Sequence, residues 1–251
     1  MTKELERRLN KFLFPVEERR VYFDNPDSGI TSTKEYKALV RPDKNKLISI
    51  MQDSYQLISN REVIMPLLEQ LSELDTKWNF DNSHTFVDSK RMRLQVTFPE
   101  LTLNDGKSDI AMSLFLHNSY DGSEGVRAYW GAIRAICSNG FIFGEVLSKY
   151  YSKHTKGINL GNLKEQVEAT YEKIPVIKER ISVLQNLEIN QAITEEIEKK
   201  LGKKAAAYVA EQQSPENQWL LYNILTYYIS HLIDKRMRAS YQMRASKIFH
   251  L

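Results

Sequence analysis

His84, His117 and Cys137 are candidate ligands for a soft metal in this 251-residue chain, and Asp88, Asp109, Asp121 and Glu124 are candidate carboxylates for a magnesium-assisted cleavage. The first set would need three separated positions to converge, with no ligand pair of the Cys-x-x-Cys or His-x-x-x-His type among them. A lone cysteine is more often a small buried hydrophobe. No metal is therefore expected. Of the acids, Asp88 precedes Ser89, Asp121 precedes Gly122 and Glu124 lies in the same loop, so turn formation accounts for them. Metal-dependent nuclease chemistry stays as the weaker alternative. The chain lacks a glycine-rich phosphate loop followed by lysine, a G-x-G-x-x-G run and an H-E-x-x-H pair, which removes the usual support for nucleotide or zinc hydrolysis. No cofactor is expected.

A different chemistry is written on the residues between 91 and 134. If Met92, Leu94, Val96 and Phe98 face a core, the other face of the same sheet carries Arg91, Arg93, Phe115, His117, Arg127 and Tyr129. Arginines neutralise phosphates, and aromatic faces stack on unpaired bases at about 1–3 kcal/mol each. This combination predicts a surface for single-stranded DNA, with Arg134, Lys149 and Lys153 extending the phosphate track. The competing reading is that a helix over 143–151 covers this face and the aromatics are core, as happens when a sheet buries both sides. His231, at helical spacing from Leu225, Tyr228 and Leu232, reads as a packed residue without chemistry.

The elements that must hold these residues can be read from periodicity. Residues 3–13 place Leu5, Leu9, Phe12 and Leu13 on one helical stripe that ends before Pro15. The run from Asp24 to Gly29 is a loop by composition. Tyr36 to Val40 reads as a strand stopped by Pro42, and 47–51 and 55–58 as short β-prone pieces. Asn60 is placed to cap a helix reaching Leu71, with Pro66 in its first turn or at a kink.

From Thr85 the chain becomes β-rich. Ile110, Met112, Leu114 and Leu116 form a second apolar row, Asp121-Gly122 closes a hairpin, and Val126, Ala128 and Trp130 continue the row. Gly131 suggests a bulge, which leaves the side taken by Arg134 open. Phe143 to Tyr151 has a helical stripe, as does Leu160 to Leu184 with Pro175 as kink or restart. A further helix spans about 193–201. Ser214 as cap and Pro215 in the first position would start the last long one.

The fold class expected is α+β: an antiparallel β-meander flanked by helices, with a mostly helical C-terminal third. Residues 1–159 would form the core with the meander, and 160–251 a helical region packed on it. Hydrophobic residues make up 42% of the chain, enough for a sizeable core. One cysteine excludes an internal disulfide, no apolar run reaches the length of a membrane span, and no leader is apparent, so a cytoplasmic setting without membrane contact is expected. The net charge of +3 is too small to argue for a polyanion partner, yet Lys235, Arg236, Arg238, Arg244 and Lys247 follow one another with no acid among or after them. They read either as a phosphate-binding arm or as a solubilising end.

Two segments together resemble a known family. Asn118-Ser119-Tyr120-Asp121-Gly122-Ser123 and Arg134-Ala135-Ile136-Cys137-Ser138-Asn139 are similar to the Asn-Ser-His-Asp-Gly-Ser and Arg-x-x-Cys-x-Asn hallmarks of phage/plasmid-like proteins that carry a domain of unknown function. Trp219, Asn223, Thr226 and His231 look like that family's C-terminal pattern. Tyr120 stands where the family often has histidine, which puts any role of an imidazole at the turn in doubt. The resemblance implies a mobile-element context with neighbours concerned with DNA, and no reaction. The helix, meander, helix order also resembles, at the level of fold alone, the core of single-strand annealing proteins, which bind DNA between a hairpin and a helix. That likeness implies self-association as a ring or filament. The function expected is single-stranded DNA binding for strand annealing in phage or plasmid recombination, without nucleotide hydrolysis. A protein-interaction module of a mobile element, acting in counter-defence or regulation, is the alternative.

Overall fold

Met92, Leu94, Val96 and Phe98 all turn to one side of their strand and all are buried, as a two-residue apolar period requires. A computed structural model describes residues 3–134, 140–142, 149–152, 163–212 and 214–251. It begins with α1 (Lys3–Asn10), followed by β1 (Glu17–Asn25), β2 (Gly29–Arg41) and β3 (Lys46–Gln52), which pair in that order as an antiparallel three-stranded sheet. Helix α2 (Asn60–Ser72) leads to β4 (Asn79–Val87), β5 (Arg91–Asn104), β6 (Asp109–Ser119), β7 (Val126–Arg134), β8 (Gly140–Ile142) and β9 (Lys149–Ser152). These form a six-stranded antiparallel meander, in which β8 and β9 both pair with the far edge of β7. The remainder is helical: α3 (Leu163–Asn186), α4 (Gln191–Leu201), α5 (Lys203–Glu211), α6 (Gln218–His231) and α7 (Arg238–Ile248). The fold is thus α+β, with antiparallel sheets and a helical C-terminal part.

The main core lies on the face of the meander predicted from the alternation. Met92, Leu94, Val96 and Phe98 join Ile110, Met112, Leu114 and Leu116 and then Val126, Ala128 and Trp130 in one apolar cluster. Helix α2 adds Val63, Leu67 and Leu71, α3 adds Ile177 and Ile181, and α6 adds Leu221 and Leu225. Burying such side chains stabilises the fold by roughly 1.5–3 kcal/mol each before entropy is set against it. The cluster runs from Leu9 to Leu251, so both ends of the chain contribute to the same core.

Several local expectations are corrected. Residues 55–58 form no strand, and β1, unmarked in the sequence reading, pairs along β2 to make a long hairpin whose tip is residues 26–28, so that only the middle of the 24–29 run is loop. Helix α2 is capped by Ser59 in a reciprocal capping box with Glu62, one residue before Asn60, and keeps Pro66 in its interior. Helix α6 starts at Gln218 under an Asn217 cap, because Asn217 rather than Ser214 accepts the N–H of Leu220 at 3.0 Å. The helix expected over 143–151 is replaced at Lys149–Ser152 by a strand paired with β7, and residues 143–148 lie outside the described residues. The basic tail is neither an extended arm nor a loose end, since α7 packs Ala239, Gln242 and Ala245 inward.

The register also settles the side of Arg134. Residues 110–117 pair with 127–134 without a break, so there is no bulge at Gly131. Arg134 lies opposite Ile110 and shares its face, which is the core face.

Candidate functional site

The face opposite the main core carries the predicted residues, and it is covered. Arg93 on β5, Phe115 and His117 on β6 and Tyr129 on β7 stand side by side through the register Arg93↔His117↔Arg127 and Phe115↔Tyr129. Arg93 and Phe115 are each only 1% exposed, and His117 and Tyr129 are buried as well. Met243 of α7 packs against the small cluster of Phe115, Tyr129 and Ile133. The expectation of an open face is therefore not met, and the reason is α7, whose sequence gives little amphipathic signal. Phe115 and Tyr129 stack on each other with centroids 5.3 Å apart, and their rings are not presented to a base.

Arg93, His117 and Tyr129 bond one another on this face. Arg93 donates from Nε to His117 Nε2 at 2.9 Å and from Nη2 to the Tyr129 hydroxyl at 3.2 Å. A guanidinium has only donors, so His117 must keep its lone pair on Nε2 and carry its proton on Nδ1. That Nδ1–H points at Glu124 Oε2, 3.3 Å away. Burial, followed by the Arg93 charge, depresses the His117 pKa to about 4 despite the Glu124 carboxylate. Among the described residues no carboxylate pairs directly with Arg93; its charge is balanced through the imidazole by Glu124 and by the Phe115 ring, 5.9 Å from the guanidinium.

Arg134 enters a second network, on the core side. Its Nη2 donates to Asp105 Oδ2 at 2.6 Å and to Asn223 Oδ1 at 2.7 Å, and its Nη1 to Asp105 Oδ1 at 3.2 Å and to Ser108 Oγ. Asp105 also accepts the backbone N–H of Lys107 and Ser108 and the indole N–H of Trp219. Burial alone would raise the pKa of this carboxyl, but the donors from Arg134, Trp219 and Ser108 outweigh it and hold it at about 2. Two residues of the family-like pattern, Arg134 and Trp219, thus meet on one turn residue, and a third, Asn223, bonds both of them and ties the meander to α6. In the sequence, Asn104-Asp105-Gly106 reads only as a turn.

Two further family-like positions, Asn118 and Tyr120, serve the start of α2. Asn118 donates to Ile58 O and to Asn60 Oδ1, and the Tyr120 hydroxyl accepts the Asn60 backbone N–H at 2.7 Å. Tyr120 is buried edge-on against Phe14. The four acids weighed for cleavage chemistry do turn or pairing work. Asp88 accepts the N–H of Lys90 and Arg91, Asp109 pairs with Asn104, Asp121 with Ser123 and Arg91, and Glu124 with His117. Among the described residues no group of His, Cys, Asp and Glu is arranged to hold a metal. Cys137 and the rest of 135–139 lie outside the described residues.

Of the remaining predicted phosphate ligands, Arg91 is half-buried against Asp121 at 3.3 Å and Arg127 is exposed. Lys149 lies opposite Tyr129 on β9, and Lys153 lies outside the described residues.

Cations and aromatics do meet at the surface elsewhere, on the β1–β2 hairpin. Its register jumps between Arg20↔Lys37 and Tyr22↔Ser32, and the extra residues of β2 open a cleft of about 440 Å³ lined by Arg19, Arg20, Lys34, Tyr36 and Lys37 with Glu18 and Asp53. Lys37 pairs with Glu18 at 3.0 Å and Arg19 with Glu17 at 3.3 Å, while no carboxylate pairs with Arg20 or Lys34 among the described residues. Tyr22 is 59% exposed, Phe23 48% and Tyr36 44%. The run Arg19-Arg20-Val21-Tyr22-Phe23 held this signal in the sequence, in the same interleaving of arginine and aromatic that drew attention to the meander.

No helix among the described residues is long and apolar enough to cross a membrane. A family model described as "Domain of unknown function (DUF932)" matches residues 47–247. No curated protein and no solved structure matches the chain.

Proposed function

The chain belongs to the DUF932 family, a domain of unknown function, and we propose that this member binds single-stranded DNA, in strand annealing during phage or plasmid recombination and without nucleotide hydrolysis. One observation carries the reading: the hairpin cleft brings four cations and Tyr36 to one exposed place, with Tyr22 and Phe23 on the adjoining strand. Phosphates would be held by Arg20 and Lys34, with Arg19 and Lys37 available by exchange from their glutamates. Unpaired bases have three exposed rings on which to stack, which a duplex does not use. The buried face of Arg93, Phe115, His117 and Tyr129 supports the meander beneath and makes no contact with the strand. Arg91 and Arg127 sit at the turn end of the same meander and extend the phosphate track.

Anisotropy of a labelled oligothymidine against a duplex of equal length, across a salt series, tests this. The four hairpin contacts alone predict a slope of log K against log salt of about −3, made steeper by any contact from Arg91 and Arg127. Binding that is absent at low salt, or indifferent to salt, would sink the reading. Arg20→Glu with Lys34→Glu should remove most of the affinity.

A second reading has its own support. Leu47 and Ile50 are exposed on the outer face of β3, and Ile30 is exposed at the hairpin. An apolar edge of this kind suits a protein partner or self-association as a ring or filament. Light scattering after size exclusion separates these: a strict monomer with no DNA affinity leaves only a heterologous protein partner.

A further inference from the structure

Helices α5 and α6 and the β5–β6 turn border an open cleft of about 660 Å³, apart from the hairpin and from the Arg93 network. This volume lies in the range of small-molecule sites. Its wall is aromatic and aliphatic, formed by Tyr208 of α5 and by Leu220, Ile224 and Tyr227 of α6. Each tyrosine ring has a second ring beside it. Tyr208 lies 5.0 Å from Tyr228, and Tyr227 lies 4.6 Å from His231. The two are therefore held as plates, and Tyr227 is still 43% exposed.

The rim sets the charge of the occupant. Among the described residues, Lys107 and Glu216 are the ionic residues lining the cleft, and their charges cancel. A strongly anionic or cationic ligand gains nothing there. A neutral planar ring with hydrogen-bonding edges fits both the tyrosine wall and the polar edge supplied by Gln212 and Ser214.

The Asp105 hub makes this a fixed site. It accepts the backbone N–H of Lys107 at 3.1 Å and the indole N–H of Trp219 at 2.8 Å, so one carboxylate positions both the turn at the mouth and the first turn of the α6 wall. Asn223, which lines the cleft, is held by Arg134 at 2.7 Å and by its own bond to Trp219 O at 2.6 Å. One family-like residue, Asn223, thus lines the cleft, and two others, Arg134 and Trp219, hold it from behind.

We propose that the cleft between α5 and α6 binds a nucleobase, stacked on Tyr227 and Tyr208. Its source as a base of a bound strand rests on the single-stranded DNA reading; a free nucleoside presents the same ring. The cleft supplies the stacking that Phe115 and Tyr129, being buried, do not.

The test titrates thymidine and adenosine against the full chain by saturation-transfer NMR, and in parallel a labelled oligothymidine by anisotropy. The variants are Tyr227→Ala, Tyr227→Phe and Arg20→Glu, each checked for an unchanged thermal melt. Expected is nucleoside binding weakened by about tenfold in Tyr227→Ala and retained in Tyr227→Phe and Arg20→Glu. Absence of nucleoside transfer in the unmodified protein, or equal transfer in Tyr227→Ala, overturns the proposal. If nucleosides bind through Tyr227 while the oligomer does not bind at all, the base site stands and the strand reading falls. If the oligomer binds through Arg20 and nucleosides do not bind, the base site falls and the strand reading stands.

Discussion

Trp219 donates its indole N–H to the carboxylate of Asp105 at 2.8 Å, across 114 positions of sequence. The bond closes a network in which a buried Arg134 has its charge met by the same carboxylate. Removing one partner of such a buried pair leaves an uncompensated charge, at a cost of about 3–5 kcal/mol. Asp105→Asn should therefore lower the free energy of unfolding by that amount in urea titration. Trp219→Phe removes one neutral donor and should cost only about 1–2 kcal/mol. Equal losses from the two variants would mean that the indole, rather than the ion pair, holds the turn.

Stability should depend on pH through His117. Its folded pKa is about 4, below the ordinary value, because it is buried beside Arg93. Between pH 6.5 and 4 the unfolded chain binds a proton that the folded chain refuses, so stability is full above pH 6.5 and falls as pH drops through that window, by up to about 3 kcal/mol. Asp105 adds a second fall at lower pH, from about 3.9 toward its folded value of about 2. His117→Gln should flatten the upper limb and leave the lower one. A curve of unfolding free energy against pH that shows no slope between 6.5 and 4 would contradict the burial of a neutral imidazole.

How much of this was legible depends on the range of the interaction. The rows from Met92 to Phe98, Ile110 to Leu116 and Val126 to Trp130 follow from local alternation, and the structure buries each of them. The opposite face was legible as a list of residues, with exposure and burial under a helix both open and the wrong helix, 143–151, named as the cover. Arg93, His117 and Tyr129 are polar enough to belong at a surface, and only their mutual hydrogen bonds allow them inside. The cover comes from α7, where basic residues obscure the short inward row of Ala239, Gln242 and Ala245. Arg134 was ambiguous for a different reason. Gly131 invited a bulge, and one residue of slip would have moved Arg134 to the other face. The Asp105 hub was invisible because its partners lie on β7 and α6, far from the turn in sequence.

Gly140 marks where α7 meets the sheet. Its N–H donates to Ser230 Oγ at 3.1 Å, its carbonyl accepts from Gln242 Nε2 at 3.2 Å, and an added Cβ would collide with that Gln242 amide and lie 2.9 Å from His84 Cε1. Gln242 is buried, so its amide cannot swing away without losing the bond to Gly140. Gly140→Ala should cost about 1–3 kcal/mol. The loss should be local first: hydrogen exchange across α7 should speed up before that of β5 and β6. Uniform acceleration would show that α7 does not open separately.

Tyr129→Phe separates structural from nucleic-acid roles on the meander. The substitution keeps the ring stacked on Phe115 and removes the hydroxyl that lies 2.9 Å from His117 Nε2 and accepts from Arg93 Nη2 at 3.2 Å. One acceptor of a nearly buried guanidinium is lost, so unfolding free energy should fall by about 1–3 kcal/mol. If the face stays covered by α7 in solution, the affinity for oligothymidine should be unchanged within twofold, because neither ring reaches a base. Tyr36→Ala, at the hairpin cleft, should do the reverse: little change in stability, since the ring is 44% exposed, and a loss of affinity of about 1–3 kcal/mol. A drop in affinity for Tyr129→Phe at full stability would instead show that α7 lifts off and that the sheet face, as first read from the sequence, contacts the strand.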